Sequence, residues 1–132
     1  MIEINNLTGA NIKEDFLKKI AIIVLGKNKF DLSIVLVGQA RIKELNMEYR
    51  RVNKPTDVLS FFYGDSGEIV LCPFVIRRNA KEYKVVFQNE FSRILIHGIL
   101  HLLGFDHEKS KEKAKKMREK EEYYLSKIYG KR

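Results

Sequence analysis

Histidine side chains cluster in one short stretch of the chain. The protein has three histidines, and His97, His101 and His107 all lie within ILIHGILHLLGFDH, residues 94–107. Because His97 and His101 are four residues apart, a helix places both imidazoles on one face, within reach of one metal ion. Gly104 tolerates the left-handed backbone that ends a helix, so the chain can turn and bring His107 back. We therefore predict three metal ligands, with zinc favoured and one coordination position left for water or substrate.

The residue after the first histidine decides between two kinds of chemistry. The spacing H-x-x-x-H-x-x-G-x-x-H is that of the metzincin zinc site, in which this residue is the glutamate general base. The chain has Gly98 there. A metallopeptidase would therefore keep its metal and lack its base. Three neutral imidazoles leave the full charge of a divalent metal in place, which suits the negative charge that develops at a phosphoryl centre.

Three blocks of sequence resemble one known family. The block HGILHLLGFDH, from His97 to His107, resembles the signature of the YbeY family, bacterial metal-dependent endoribonucleases of ribosomal RNA maturation. The stretches LNMEYRRVNKPTDVLSF and GEIVLC are similar to two further blocks of that family, which more often has aspartate where Glu68 stands. The resemblance covers the chain almost end to end. It implies a single domain over residues 1–132 with a zincin-like sheet of about four strands.

The resemblance also implies an activity and partners. It implies a metal-dependent, single-strand-specific endoribonuclease that acts in ribosome biogenesis, including maturation of the 3′ end of 16S ribosomal RNA. The cofactor would be one divalent metal ion per chain, with zinc favoured, bound by the three histidines. The partners would be single-stranded and ribosomal RNA and components of the ribosome or of small-subunit assembly, with no membrane.

Arg50 is the candidate catalytic residue outside the histidine block. The family's functional arginine corresponds to Arg50 in the pair Tyr49-Arg50, and its guanidinium is suited to bidentate binding of a phosphate. We predict that it begins a loop, Arg50 to Thr56, before a strand. Without the resemblance, an exposed surface arginine is the simpler interpretation.

Two other side chains have open interpretations. Asp106 adjoins His107 and is either a hydrogen-bond acceptor for a ligand imidazole or, less favoured, a general base. Cys72 is either a fourth ligand that closes a structural zinc site or, favoured here, a small buried hydrophobe.

Composition and charge limit the class of protein. The chain has 132 residues, a net charge of +8 and a pI near 9.6, which favours a polyanionic partner. Residues 108–132 hold ten Lys/Arg and five Glu, which predicts either a solvated helix face or an RNA-facing surface. A single cysteine, no signal-peptide pattern and apolar runs too short to span a bilayer indicate a cytoplasmic soluble protein. Because the basic residues are not interleaved with aromatic ones, we expect contact with the RNA backbone.

Periodicity predicts an α/β or α+β fold, a small mixed sheet packed with helices, one of which is the metal helix. The strands are predicted at 1–7, 32–37, 57–63 and 68–72, with a hairpin turn between the last two. Helices are predicted after the capping pair Asn11 and Glu14 with an end at Gly26, and at 39–49 with Tyr49 on its core side. Further helices are predicted briefly from Pro73 with a break at 81–84, at 85–103, and at 108–129 with Met117 on its packed side.

Two alternatives to the nuclease remain. One is a metzincin-like metallopeptidase or related hydrolase, against which Gly98 argues. The other is a non-catalytic, RNA-binding ribosome-assembly factor whose metal only stabilises the fold.

Overall fold

The computed structural model describes residues 1–105 and 110–130. Within these residues the chain forms four strands and five helices in the order βαβαββααα. The strands are β1 (Ile2–Asn6), β2 (Asp31–Leu36), β3 (Val58–Phe62) and β4 (Ser66–Leu71). The helices are α1 (Glu14–Leu25), α2 (Gln39–Arg50), α3 (Pro73–Tyr83), α4 (Phe87–Leu102) and α5 (Lys111–Tyr129).

The strands form one mixed sheet in the order β1-β2-β4-β3, which confirms the predicted α+β class. β1, β2 and β4 run parallel, and β3 runs antiparallel to β4. The hairpin between β3 and β4 turns at Gly64, whose φ of 95° favours glycine. β3 is therefore an edge strand, with no further strand beside it in the described part of the chain.

Apolar residues cover both faces of this sheet. The larger cluster packs α1, α4 and α5 against one face, around Ile34, Ile69 and Leu95. The smaller cluster lies on the opposite face and joins Ile42 of α2 to Cys72 at the start of α3. The sheet thus separates two packed layers, and its edge strand β3 borders a cleft that residues of α2 and α4 also line.

The first helix begins later than predicted. The capping pair Asn11 and Glu14 is wrong, because α1 starts at Glu14 and Lys13 precedes it without a side-chain capping bond. The turn after β1 accounts for the difference: the Asn6 side chain donates to the Ala10 carbonyl at 2.9 Å and holds this segment outside the helix. The predicted end at Gly26 is confirmed.

The ends of α2 and α3 also differ from the predictions. Tyr49 is 60% exposed and does not belong to the core side of α2. It packs edge-on against Phe61 of β3 instead, with ring centroids 4.9 Å apart. α3 extends to Tyr83, beyond the break predicted from residue 81, because Ala80 continues its buried side. The chain breaks instead at Lys84, which has a left-handed φ of 58°.

The last two helices agree with the sequence within a few residues. α4 occupies 87–102 where 85–103 is predicted. α5 begins at Lys111, and the Ser110 side chain caps it by accepting from the Lys113 backbone N–H at 3.1 Å. Met117 is buried against the larger cluster, which confirms its predicted packing role.

Candidate functional site

Helix α4 places two histidines in a cleft of about 730 Å³ along β3. His97 is 25% exposed and His101, one turn later, is exposed. The other lining residues come from the end of α2, the segment before β3, β3 itself, the residue after β3, and α4. They are Tyr49, Arg50, Thr56, Asp57, Val58, Leu59, Ser60, Phe61, Phe62, Tyr63 and Gly98. Both imidazoles therefore line the same concave surface, as the four-residue spacing predicts.

Gly98 allows α4 to lie close to the sheet. A Cβ at this position would be 3.3 Å from Ile69 Cδ1 and 3.4 Å from Ser60 Oγ. Contacts this short leave little room for a side chain in a packed interior. The glycine at the position of the metzincin glutamate is thus a packing residue. The Cβ of a glutamate there would press against Ser60 of β3 and Ile69 of β4.

The end of α4 turns as the sequence predicts. Gly104 has a φ of 100°, its N–H donates to the His101 carbonyl at 3.1 Å, and Phe105 N–H donates to the Leu100 carbonyl at 3.0 Å. These two bonds are the pair that closes a helix with a left-handed residue. His107, the third predicted ligand, and its neighbour Asp106 lie outside the described residues.

Glu121 of α5 contacts the first histidine directly. Its Oε2 lies 2.6 Å from His97 Nδ1, and its side chain is 8% exposed. Because a carboxylate only accepts, Nδ1 is the donor in this bond. A carboxylate that accepts a hydrogen bond from one ring nitrogen fixes the orientation of the ring. Such a carboxylate is a common partner of a metal-binding imidazole.

Arg93 joins two carboxylates one turn before His97. Its guanidinium donates to Glu90 through Nε at 3.1 Å and Nη2 at 2.9 Å, and its Nη1 lies 3.7 Å from Glu121 Oε1. The hydrogen bonds with Glu90 raise the pKa of Arg93, against the opposing effect of burial. Asp57 adds a smaller electrostatic contribution in the same direction. The buried glutamates are thus compensated, and α5 is held to α4 beside His97.

Sequence reasoning missed Glu121, although a signal for it exists. It looks like one of many charges on α5, but it lies four residues after buried Met117 and four before half-buried Leu125. This spacing puts it on the packed side of the helix. A carboxylate at a packed position needs a partner, and that requirement could have pointed to His97.

Arg50 lies in the cleft, but it does not begin a loop. It is the last residue of α2, and the next residue, Arg51, has a left-handed φ of 61°. The loop that follows is tied back to α2 by the Asn46 side chain, which is buried and donates to the Lys54 carbonyl at 2.8 Å. The end of a helix and an anchored loop therefore position Arg50 opposite α4.

Cys72 is fully buried in the smaller core cluster, next to Val70 and Val75. This confirms the interpretation as a small hydrophobe and leaves no place for it as a ligand beside His97.

The residues present fit a transition metal as far as they are described. Two imidazoles one turn apart, one of them bonded to a buried carboxylate, are donors suited to zinc and similar ions. Residues 1–105 and 110–130, which exclude His107, contain no group of three His, Cys, Asp or Glu side chains able to hold a metal ion.

No helix in the described ranges is long and apolar enough to cross a membrane.

Comparison with known proteins agrees with the fold. A protein named Endoribonuclease YbeY from Thermotoga petrophila is 40% identical over 126 residues, covering 92% of this chain and 84% of its own. One of the same name from Aquifex aeolicus is 40% identical over 127 residues, covering 89% and 85%. The solution structure of TM1509 from Thermotoga maritima superposes with a TM-score of 0.75 at 35% identity, covering 98% of this chain and 90% of that one.

The family model described as Endoribonuclease YbeY matches residues 2–129. This match spans the histidine block, the Tyr49-Arg50 pair and all nine described elements. It confirms the family expected from the sequence: the chain belongs to the YbeY family.

Proposed function

We propose that this protein is a metal-dependent, single-strand-specific endoribonuclease. The family description and the names of the relatives support the class of reaction. The observation that carries the proposal is the convergence of His97, His101 and Arg50 on one cleft from two different helices. Two imidazoles and a guanidinium on one surface are suited to an anionic substrate such as a phosphodiester.

The residues of the cleft have separate roles in this proposal. His97 and His101, with His107, would hold one divalent ion, for which zinc is favoured. When bound, the ion supplies positive charge that neutralises the charge developing at the phosphoryl group. Arg50 binds a phosphate oxygen and fixes the substrate along the cleft. Glu121 orients the His97 ring through Nδ1.

The substrate that we propose is single-stranded ribosomal RNA, cut during ribosome biogenesis in the cytoplasm. The net charge of +8 supports a polyanion, and exposed lysines along α5 contribute to this charge. Components of the ribosome or of small-subunit assembly are the proposed protein partners. Residues 1–132 are proposed to act as one domain.

The peptidase alternative has a specific obstacle. The position of the metzincin base is Gly98, and the space beside it is occupied by Ile69 and Ser60. A metallopeptidase would need its general base from elsewhere in the cleft.

The test compares the wild type with His101→Ala for metal content and for cleavage of a single-stranded RNA. We expect the wild type to bind one equivalent of zinc and to cut the RNA, and to lose cleavage when a chelator is added. His101→Ala should lose both properties while it remains folded. Metal binding without cleavage in the wild type would favour the assembly factor with a structural metal. Cleavage that survives complete removal of the metal would refute the proposal.

A further inference from the structure

Four aromatic residues line the proposed RNA cleft, and three of them, Tyr49, Phe62 and Tyr63, are exposed, while Phe61 is half-buried. Phe62 is 62% exposed. An exposed phenylalanine on an edge strand leaves apolar surface in water and favours association with other chains. Exposed apolar surface beside a cleft is therefore a sign of a ligand-binding site. The rings come from α2 and β3, which are separated in the sequence by a basic loop. Three of the four rings, Phe61, Phe62 and Tyr63, are consecutive in the sequence, and only Tyr49 lies apart from them.

A second phenylalanine packs behind Phe62. Its ring packs on Phe30 nearly parallel, with a centroid distance of 6.3 Å and an interplanar angle of 13°. Its partner across the hairpin is Gly67, where a Cβ would lie 2.9 Å from Leu102 Cδ1 and 3.1 Å from the Phe30 ring. The missing side chain at Gly67 therefore lets Phe30 and the end of α4 close in behind Phe62. The exposed Phe62 ring and His101 line the same cleft.

The charged and aromatic residues of the cleft together favour single-stranded nucleic acid as its ligand. Arg50 offers a cation for a phosphate, while Asp57 is the carboxylate in the lining. Single-stranded nucleic acid combines phosphates with bases whose faces are free to stack, and proteins bind it with basic grooves that carry aromatic rings. In a duplex the base faces are already stacked, and they do not reach such rings.

We propose that Phe62, supported by Phe30, is a base-stacking surface that receives one nucleobase of the RNA beside the histidines. This inference rests on the proposed function, whose substrate it deepens. It changes the sequence-based expectation of contact with the RNA backbone alone. It also gives a physical reason for single-strand specificity, since only an unpaired base presents its face to the ring.

The first experiment uses the absence of tryptophan from the sequence. Phe62→Trp introduces one fluorophore at the proposed stacking position, and Phe74→Trp introduces one at a phenylalanine of α3 that is 51% exposed and outside the cleft lining. With the zinc-loaded protein and a short oligouridylate, we expect saturable quenching for Phe62→Trp and none for Phe74→Trp. Equal quenching of both, or of neither, would overturn the proposal.

The second experiment separates the base from the phosphate. Phe62→Ala should bind oligouridylate about tenfold more weakly, the equivalent of ~1.4 kcal/mol and within the range for one stacked base. Its affinity for an abasic ribose-phosphate strand should equal that of the wild type. Phe74→Ala should change neither affinity. Equal weakening for both strands would mean that Phe62 only shapes the cleft and would overturn the stacking role.

The outcomes also separate this inference from the nuclease itself. Base-dependent binding through Phe62 without cleavage would keep the inference and remove the proposed activity. Normal cleavage with unchanged binding by Phe62→Ala would do the reverse. Quenching of Phe62→Trp by an uncharged extended peptide, and not by RNA, would replace the RNA with a peptide and overturn the inference.

Discussion

Substitution of Glu121 tests whether one side chain both stabilises the packing of α5 on α4 and positions His97. Its carboxylate lies 2.6 Å from His97 Nδ1 and 3.7 Å from Arg93 Nη1. Glu121→Ala removes both contacts, whereas Glu121→Gln keeps the shape and an oxygen that accepts from His97. Glu122 is the matched control, because it is the next residue of α5 and is exposed.

The expected magnitude follows from these two contacts. A buried hydrogen bond to a charged group contributes about 1.5–3 kcal/mol to the free energy of unfolding. The contact with Arg93, whose side chain is 39% exposed, adds roughly 0–1 kcal/mol because solvent screens it. We therefore expect Glu121→Ala to lower the free energy of unfolding by about 1.5–4 kcal/mol and Glu121→Gln by about 1 kcal/mol. Glu122→Ala should stay within about 0.5 kcal/mol of wild type.

The assay is urea unfolding of the metal-free protein in the presence of a chelator, followed by zinc titration of the folded variants. Loss of the carboxylate partner of a ligand imidazole lowers metal affinity by about 10–100-fold, and we expect this for Glu121→Ala. If Glu121→Ala unfolded at the same urea concentration as Glu122→Ala, the network between α4 and α5 would contribute nothing to stability. If its zinc affinity were also unchanged, Glu121 would have no part in positioning His97.

Three further predictions concern the rest of the site. Arg50→Glu should abolish RNA cleavage and leave zinc content unchanged, because Arg50 ends a different helix from the histidines; loss of zinc would indicate a structural role instead. Gly98→Glu should lower the free energy of unfolding by about 1–3 kcal/mol through overpacking against Ile69 and Ser60, and should create no peptidase activity; unchanged stability would mean that the helix can move away from the sheet. The raised pKa of Arg93 gives a stabilising contribution that is complete below the ordinary pKa of arginine and is lost only as pH rises through the raised value. The unfolding free energies of wild type and Arg93→Gln should therefore differ by the same amount at pH 7 and at pH 10. A smaller difference at pH 10 would contradict the raised pKa of Arg93.

Local patterns predicted the elements that carry strong periodicity or turn chemistry. The four-residue spacing of His97 and His101 and the glycine at position 104 were sufficient to predict a helix, its exposed histidine face and its end. The same applies to Cys72, whose burial follows from its place at the end of an apolar strand. Each of these predictions depends on residues within one element or its immediate turn.

The parts that sequence could not supply depend on contacts between distant elements. Tyr49 has the spacing of a core residue on α2, but the neighbouring layer ends at the edge strand and leaves its ring against Phe61. Glu121 is chemically identical to the exposed glutamates around it, and only the docking of α5 distinguishes it. Phe61, Phe62 and Tyr63 are adjacent in the sequence, but only the packing of β3 beside α4 brings them to the same cleft as the histidines.

The contact between Glu121 and His97 joins residues 24 positions apart on two different helices. His97 keeps its carboxylate partner only while α5 is packed against α4. Local opening of α5 would therefore release the ring of a proposed metal ligand while the sheet is still folded. The stability of this one helix and the orientation of His97 are coupled.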